Sequence, residues 1–372
     1  LNLTDFEDKK RQAGSGLKLE KLDSLSDFSD SRATMAKEIS LKANVELGVV
    51  PTHIKFVGGL VPDDNGRLPR NDDGKLVVVA EMEKLTQMSP VKIASAQVTA
   101  FPGVHEGDMD DLFSGLRALD LEVHIIMMVG GADPMNPDDE DAVCKMLVAG
   151  LEVAKKYRIS QVASTSIEEW MKPGATPKTG ADFETAVAQN AKVHARACRE
   201  ADVANSSIKH WHIEFLRNGE FQTFNDIPKA WEIVKAANAE LGTKFFKIMV
   251  DAAHCGDSTY TISETEKFIE DLAASDEMGM FHASAKTTRG CLTTDDGWIG
   301  ALMAAAAKTG KLEYVFVEVF HHEDPALEGL RALDPGHGID TTDGRSYSET
   351  VIDGVVEVTH RLNNLVARGM LK

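Results

Sequence analysis

Four ionisable side chains in the second half of this chain recur at similar places in successive segments. The stretch Ile208-Lys209-His210-Trp211-His212-Ile213-Glu214-Phe215-Leu216 leads to Glu214, and the apolar runs Phe245 to Asp251, Met278 to His282 and Tyr314 to Glu318 end in Asp251, His282 and Glu318. Positions 214, 251, 282 and 318 are separated by steps of 37, 31 and 36 residues. Three carboxylates and one imidazole form an oxygen-rich ligand set, which suits Mn²⁺, Mg²⁺ or Co²⁺ better than the thiolate-rich sets of structural zinc. Four protein ligands on an octahedral ion leave two positions for adjacent oxygens of a hydroxy-carbonyl compound, which the ion would polarise together. Each carboxylate alone would read as a salt-bridge partner or a helix cap; the recurrence of all four favours a shared divalent ion.

The elements that position these groups follow from periodicity. Side chains alternate faces along a strand, so His210, His212 and Glu214 share one face while Trp211, Ile213 and Phe215 share the other. A polar face on a core strand implies that its interior side converges on something charged. Between the four strands lie helical stretches, one βα unit per step. Upstream, strands are expected over 91–101, 121–129 and 159–164, with helices over 108–119, 138–157 and 182–201. Downstream, helices are expected over 227–241, closed by Gly242, over 298–308 and over 347–367, with Ser263 and Glu266 as a capping box for a helix reaching Ala274. The first strand is placed at 52–59, and a second apolar run, 75–81, leads into a short helix before Pro90.

Strand and helix thus alternate about eight times, which predicts a parallel α/β sheet, either open or closed as a (β/α)8 TIM barrel. No GxGxxG follows the first strand and no GxxxxGK[ST] occurs. Closure is favoured because the ends of four strands meet at one mouth in a barrel, whereas in an open sheet they lie in a row. The expected organisation is an N-terminal extension over 1–45 and a single barrel domain over 46–372. His254, three residues after Asp251, would stand on the adjoining loop as a substrate contact, a second-metal ligand or a cap; substrate contact is the reading adopted.

The pattern resembles that of the xylose isomerase-like TIM-barrel superfamily, in the branch of sugar phosphate isomerases and epimerases that holds the ketose 3-epimerases. Its marks are a Glu ending the fifth strand, Asp-x-x-His ending the sixth, His on the seventh with a following Arg, and Glu ending the eighth, here Glu214, Asp251 with His254, His282 with Arg289, and Glu318. The resemblance covers residues 91 to 325. It implies one divalent ion, Mn²⁺ foremost with Mg²⁺, Co²⁺ or Zn²⁺ as substitutes, and it implies that Glu214 and Glu318 are also the acid/base pair on opposite faces of the substrate. Arg289 would grip a substrate hydroxyl, with Lys286 competing for that role in a longer loop. His212 is a further candidate substrate contact. Xylose isomerases proper carry extra aspartates after the seventh-strand ligand, and apurinic-site endonucleases an Asp-x-His; residues 283–286 supply neither.

Composition narrows the partners. A net charge of −19 argues against nucleic acid, which calls for a basic face. No apolar run approaches the ~20 residues that cross a bilayer. Cys144, Cys198, Cys255 and Cys291 form no CxxC pair and read as reduced thiols of a cytoplasmic protein. The leading reading is a metal-dependent isomerase or epimerase acting on a ketose or related polyol through an enediolate, assembled as a homo-oligomer. A lyase or dehydratase of a keto-inositol or 3-keto-glycoside would use the same site, and a non-catalytic sugar- or partner-binding barrel is the remaining alternative. The long insert within 325–346, including His337, has no counterpart in a minimal epimerase, and neither it nor the segment 1–45 has a legible role.

Overall fold

The computed structural model describes residues 38–51, 59–99, 103–285, 297–319, 332 and 346–372. A compact unit runs from Ile39 to Lys372. Within it eight parallel strands close into a barrel in sequence order: β1 (Glu46–Val50), β2 (Ser95–Thr99), β3 (Glu122–Met127), β4 (Gln161–Ser164), β5 (His210–Ile213), β6 (Phe246–Asp251), β7 (Met278–Ala283) and β8 (Tyr314–Glu318). Closure comes from β1 lying against β8, with Glu46 opposite Tyr314 and Val50 opposite Glu318.

The described helices are α1 (Val77–Met88), α2 (Glu106–Ala118), α3 (Glu140–Lys156), α4 (Gly180–Glu200), α5 (Ile227–Leu241), α6 (Ala252–Asp257), α7 (Ile262–Ala274), α8 (Trp298–Lys308) and α9 (Tyr347–Ala367). In α3, Val143, Leu147, Leu151 and Ala154 recur at helical spacing and are buried against the strands. The ends of α5 are written locally. Asp226 accepts a hydrogen bond from the Lys229 N–H at the start, and Gly242 takes the left-handed conformation at the end with φ 68°.

Outward-facing strand residues pack with the helices in the main core, and the barrel interior is stratified. Along β6, Lys247, Met249 and Asp251 face inward in turn; along β8, Tyr314, Phe316 and Glu318 do the same. The middle level is apolar: Val50, Ile126, Ala163, Met249, Met280 and Phe316 form their own cluster. Below it, towards the strand N-termini, the interior is polar, with His124 Nε2 2.5 Å from Glu46 Oε1 and Gln161 Oε1 2.9 Å from His212 Nε2. Gly279 makes room for this layer, since a Cβ there would lie 2.4 Å from His212 Nδ1. The upper level holds Asp251 and Glu318.

Three local expectations are corrected. The first strand is Glu46–Val50, not 52–59, of which 52–58 lies outside the described residues. Its inward positions carry Glu46 and Gly48, a charge and a residue without a side chain, which hide the apolar signal of a core strand. Most of the run at 75–81 does not precede the helix but forms its start from Val77 on, because Val78, Val79, Met82 and Leu85 lie on the buried side of α1. The capping box of α7 is Thr261 with Glu264, not Ser263 with Glu266. The segment 1–37 and nearly all of the 325–346 insert also lie outside the described residues. Among the described residues no helix is long and apolar enough to cross a membrane.

Candidate metal centre

The upper level of the barrel brings the four strand-end groups together. Glu214 follows β5 directly and extends its ladder, its N–H donating to the Ser164 carbonyl at 2.9 Å. Asp251 is the last residue of β6, His282 lies in β7, and Glu318 ends β8. One ligand atom from each lies within 4.8 Å of all the others, and all four residues are buried. His282 Nδ1 is 3.2 Å from Glu318 Oε2 and 3.8 Å from both Glu214 Oε1 and Asp251 Oδ2.

This is an arrangement that calls for positive charge. At an effective dielectric constant near 20, two carboxylates about 4.8 Å apart repel by roughly 3.5 kcal/mol, and three meet here. Burial by itself would lower the His282 pKa, but Glu318, Glu214 and Asp251 outweigh it and push it up to about 9. A divalent cation would answer the same field more fully than one proton. The donor set of three carboxylates and an imidazole fits a hard or borderline divalent ion, and the residues present therefore fit the expected metal.

His254 sits on the first turn of α6 at the edge of the cluster, with Nδ1 3.5 Å from Glu214 Oε1 and 3.8 Å from Asp251 Oδ1. Asp251 positions it doubly, since Oδ1 also caps α6 by accepting the His254 N–H at 2.8 Å. One residue therefore ends a strand, starts a helix and presents a carboxylate oxygen to the cluster. His212, in contrast, stands a level below the cluster. Its Nδ1 accepts the Met280 N–H and its Nε2 donates to Gln161 Oε1, so both ring nitrogens are engaged. Burial holds its pKa well below the ordinary imidazole value, and it is a neutral part of the barrel's lower packing. Arg289 and Lys286 lie outside the described residues.

The loops above the cluster are fixed by groups that sequence reading did not assign. From sequence, Glu168 falls in the stretch after the fourth strand, where lining the mouth and lying on a solvated surface loop are equally open readings. It is instead a buried clamp whose carboxylate accepts the N–H groups of Gln222, Thr223 and Phe224 at 2.8, 2.9 and 3.0 Å, which ties the connection after β4 to the one carrying Glu214. Trp170 Nε1 donates to Glu220 Oε1 across the same seam. Lys172 pairs with Asp133 at 2.8 Å and with Glu169 at 3.2 Å. Arg217, three residues after Glu214, reaches Asp257 at the end of α6 at 3.3 Å and so links the Glu214 and His254 segments. No periodicity announces such loop contacts; only the polar residues shortly after a strand end hint at them.

No protein-family model matches the chain, and no curated relative does. Solved structures do. A D-allulose 3-epimerase from Methylomonas sp. superposes with a TM-score of 0.64 at 14% identity, covering 87% of this chain and 100% of that one. An L-ribulose 3-epimerase gives 0.66 at 13% identity, covering 87% and 97%. The IOLI protein with a bound zinc atom gives 0.55 at 13% identity, covering 86% and 99%. The neighbours are ketose 3-epimerases and related sugar isomerases of the xylose isomerase-like superfamily, and what this chain shares with them at such identities is the (β/α)8 fold.

Proposed function

We propose that the chain is a divalent-metal-dependent isomerase or epimerase of a ketose or related polyol. The observation that carries this reading is the convergence of Glu214, Asp251, His282 and Glu318 in one buried cluster at the C-terminal end of the barrel, where enzymes of this fold keep their active sites. Glu214, Asp251, His282 and Glu318 would hold the ion, with Mn²⁺ the species proposed. When bound, it supplies Lewis acidity that stabilises negative charge on two neighbouring substrate oxygens.

The protein's own groups account for the proton movements. Glu214 comes from β5 and Glu318 from β8, with β6 and β7 between them, so the two carboxylates enter the cluster from different sides. One removes the proton from the carbon beside the carbonyl, giving an enediolate; the other delivers a proton to the opposite face. His254, against Glu214 and Asp251, orients a substrate oxygen. The apolar middle layer below closes the floor and keeps water from reaching the enediolate from the barrel interior. The neighbours' sugar substrates support the substrate class.

The test is direct. The full chain loaded with Mn²⁺ is incubated with a panel of ketoses, keto-inositols and 3-keto-glycosides, and the products are separated by chromatography. A new epimer or aldose is the expected result. An unsaturated or released product would replace the isomerase reading by a lyase using the same site. No conversion with Mn²⁺, Mg²⁺, Co²⁺ or Zn²⁺ would overturn the enzymatic reading.

A further inference from the structure

Ser284 stands two residues beyond His282, directly after the end of β7. Met280 belongs to the barrel interior and His282 to the cluster above it, whereas Phe281, Ala283 and Ala285 pack outward in the main core. The alternation therefore places Ser284 on the inner face, one step nearer the mouth than His282. The register of β7 on β8 sets His282 opposite Phe316 and Ala283 opposite Val317; continued by one residue past the end of β7, it sets Ser284 level with Glu318. The residue is completely buried. Its Oγ nevertheless has no hydrogen-bond partner among the described residues, Glu318 included.

A buried hydroxyl without a partner is unfavourable in the free protein, and alanine would remove the unpaired oxygen with the loss of one atom of packing. Its position suggests what it is for. We propose that Ser284 is a substrate-contact residue whose hydroxyl bonds a neutral hydroxyl of a polyhydroxylated carbonyl compound held over the cluster, next to the carbons that react; this rests on the sugar reading above. A substrate hydroxyl both donates and accepts, as Ser284 does. A phosphate or carboxylate at this point would face Glu318 and be repelled, so the group recognised here is uncharged.

The proposal predicts opposite effects on stability and on binding. In the metal-free, sugar-free protein, Ser284→Ala melts at the wild-type temperature or slightly above it. With the Mn²⁺-loaded chain and the ketose it converts best, KM rises about tenfold while kcat stays within about twofold, the pattern of a contact made equally in ground and transition states. A set of analogues each lacking one hydroxyl sharpens the test. Wild type loses about tenfold on one of them, and Ser284→Ala treats that analogue and the parent alike. An unchanged KM in the variant, or equal losses on every analogue by both proteins, overturns the assignment while leaving the sugar reading intact. A lowered melting temperature of the metal-free variant overturns it too, since Ser284 would then be structural. If wild type itself converts none of these compounds, the sugar reading falls and the assignment falls with it.

Discussion

Asp251→Asn separates the metal from the fold. Asparagine is as good a helix N-cap as aspartate, so its side-chain oxygen still accepts the His254 N–H that Asp251 Oδ1 accepts at 2.8 Å. One of three converging negative charges is removed, and the metal-free variant should melt no lower than wild type. Metal binding behaves differently. Free ion at a hundred times its Kd stabilises the native state by about 2.7 kcal/mol. Unfolding the Ile39–Lys372 unit, at about 2.1 cal/mol/K per residue, carries an entropy near 0.7 kcal/mol/K, so wild type should gain about 4 °C. Removing one charged partner from a buried set costs about 3–5 kcal/mol, which is more than two decades in affinity. At the same ion concentration the variant keeps at most about 0.4 kcal/mol of stabilisation, under 1 °C. Differential scanning calorimetry with Mn²⁺ titrated into chelator-treated protein reads both numbers. A Mn²⁺ shift equal in the two proteins, or none in wild type, would refute the reasoning.

Other consequences are equally specific. Glu168→Gln leaves one of three clamped N–H groups facing an amide that cannot accept; a loss of about 2–3 kcal/mol, some 3–4 °C by calorimetry, is expected, and an unchanged melting temperature would deny the clamp. His194 is fully buried, accepting from Ser166 and held against the Asn190 carbonyl, and burial lowers its pKa from 6.5 to about 4. The unfolded chain therefore binds the proton more readily: this contribution is complete above pH 6.5 and lost as pH falls towards 4, by about 3 kcal/mol. Urea unfolding between pH 7 and 4 should show that slope in wild type, and His194→Phe should flatten it. Thr261→Ala should cost about 1 kcal/mol through the cap of α7, while Ser263→Ala should be near neutral in the same urea assay.

The site was legible because its chemistry is periodic. Asp251, His282 and Glu318 lie at the C-terminal ends of short strands and Glu214 directly after one, and a closed parallel barrel turns equivalent positions on successive strands into neighbours. The helices over 227–241, 298–308 and 347–367 were legible to the residue: Gly242 closes the first, a continuous apolar run marks the second, and a one-sided apolar stripe marks the third. β1 escaped because Glu46 and Gly48 face inward, where Glu46 meets His124 from β3, a long-range contact that no local pattern encodes. The valines at 77–79 suggest a strand by propensity, yet they form a helix because their burial is set by packing. His212 reads from the strand alternation as inward and deeper than Glu214, and it is found there; its partners were not legible, because register across strands decides that it meets Gln161 and Met280. Glu168 and Ser284 were opaque for a related reason, since one is defined by three backbone N–H groups more than fifty residues away and the other by a hydrogen bond it does not make.

The measurement that bears most directly on the proposed chemistry is solvent deuterium uptake. If Glu214 and Glu318 work on opposite faces, the proton delivered cannot be the one removed, so an epimer formed in D2O must carry deuterium at the carbon beside the carbonyl. Mass spectrometry of the product, after the metal is stripped, should show one deuterium per turnover with wild type, and Glu214→Gln and Glu318→Gln should each abolish conversion. Conversion without any deuterium in the product would contradict the two-carboxylate mechanism.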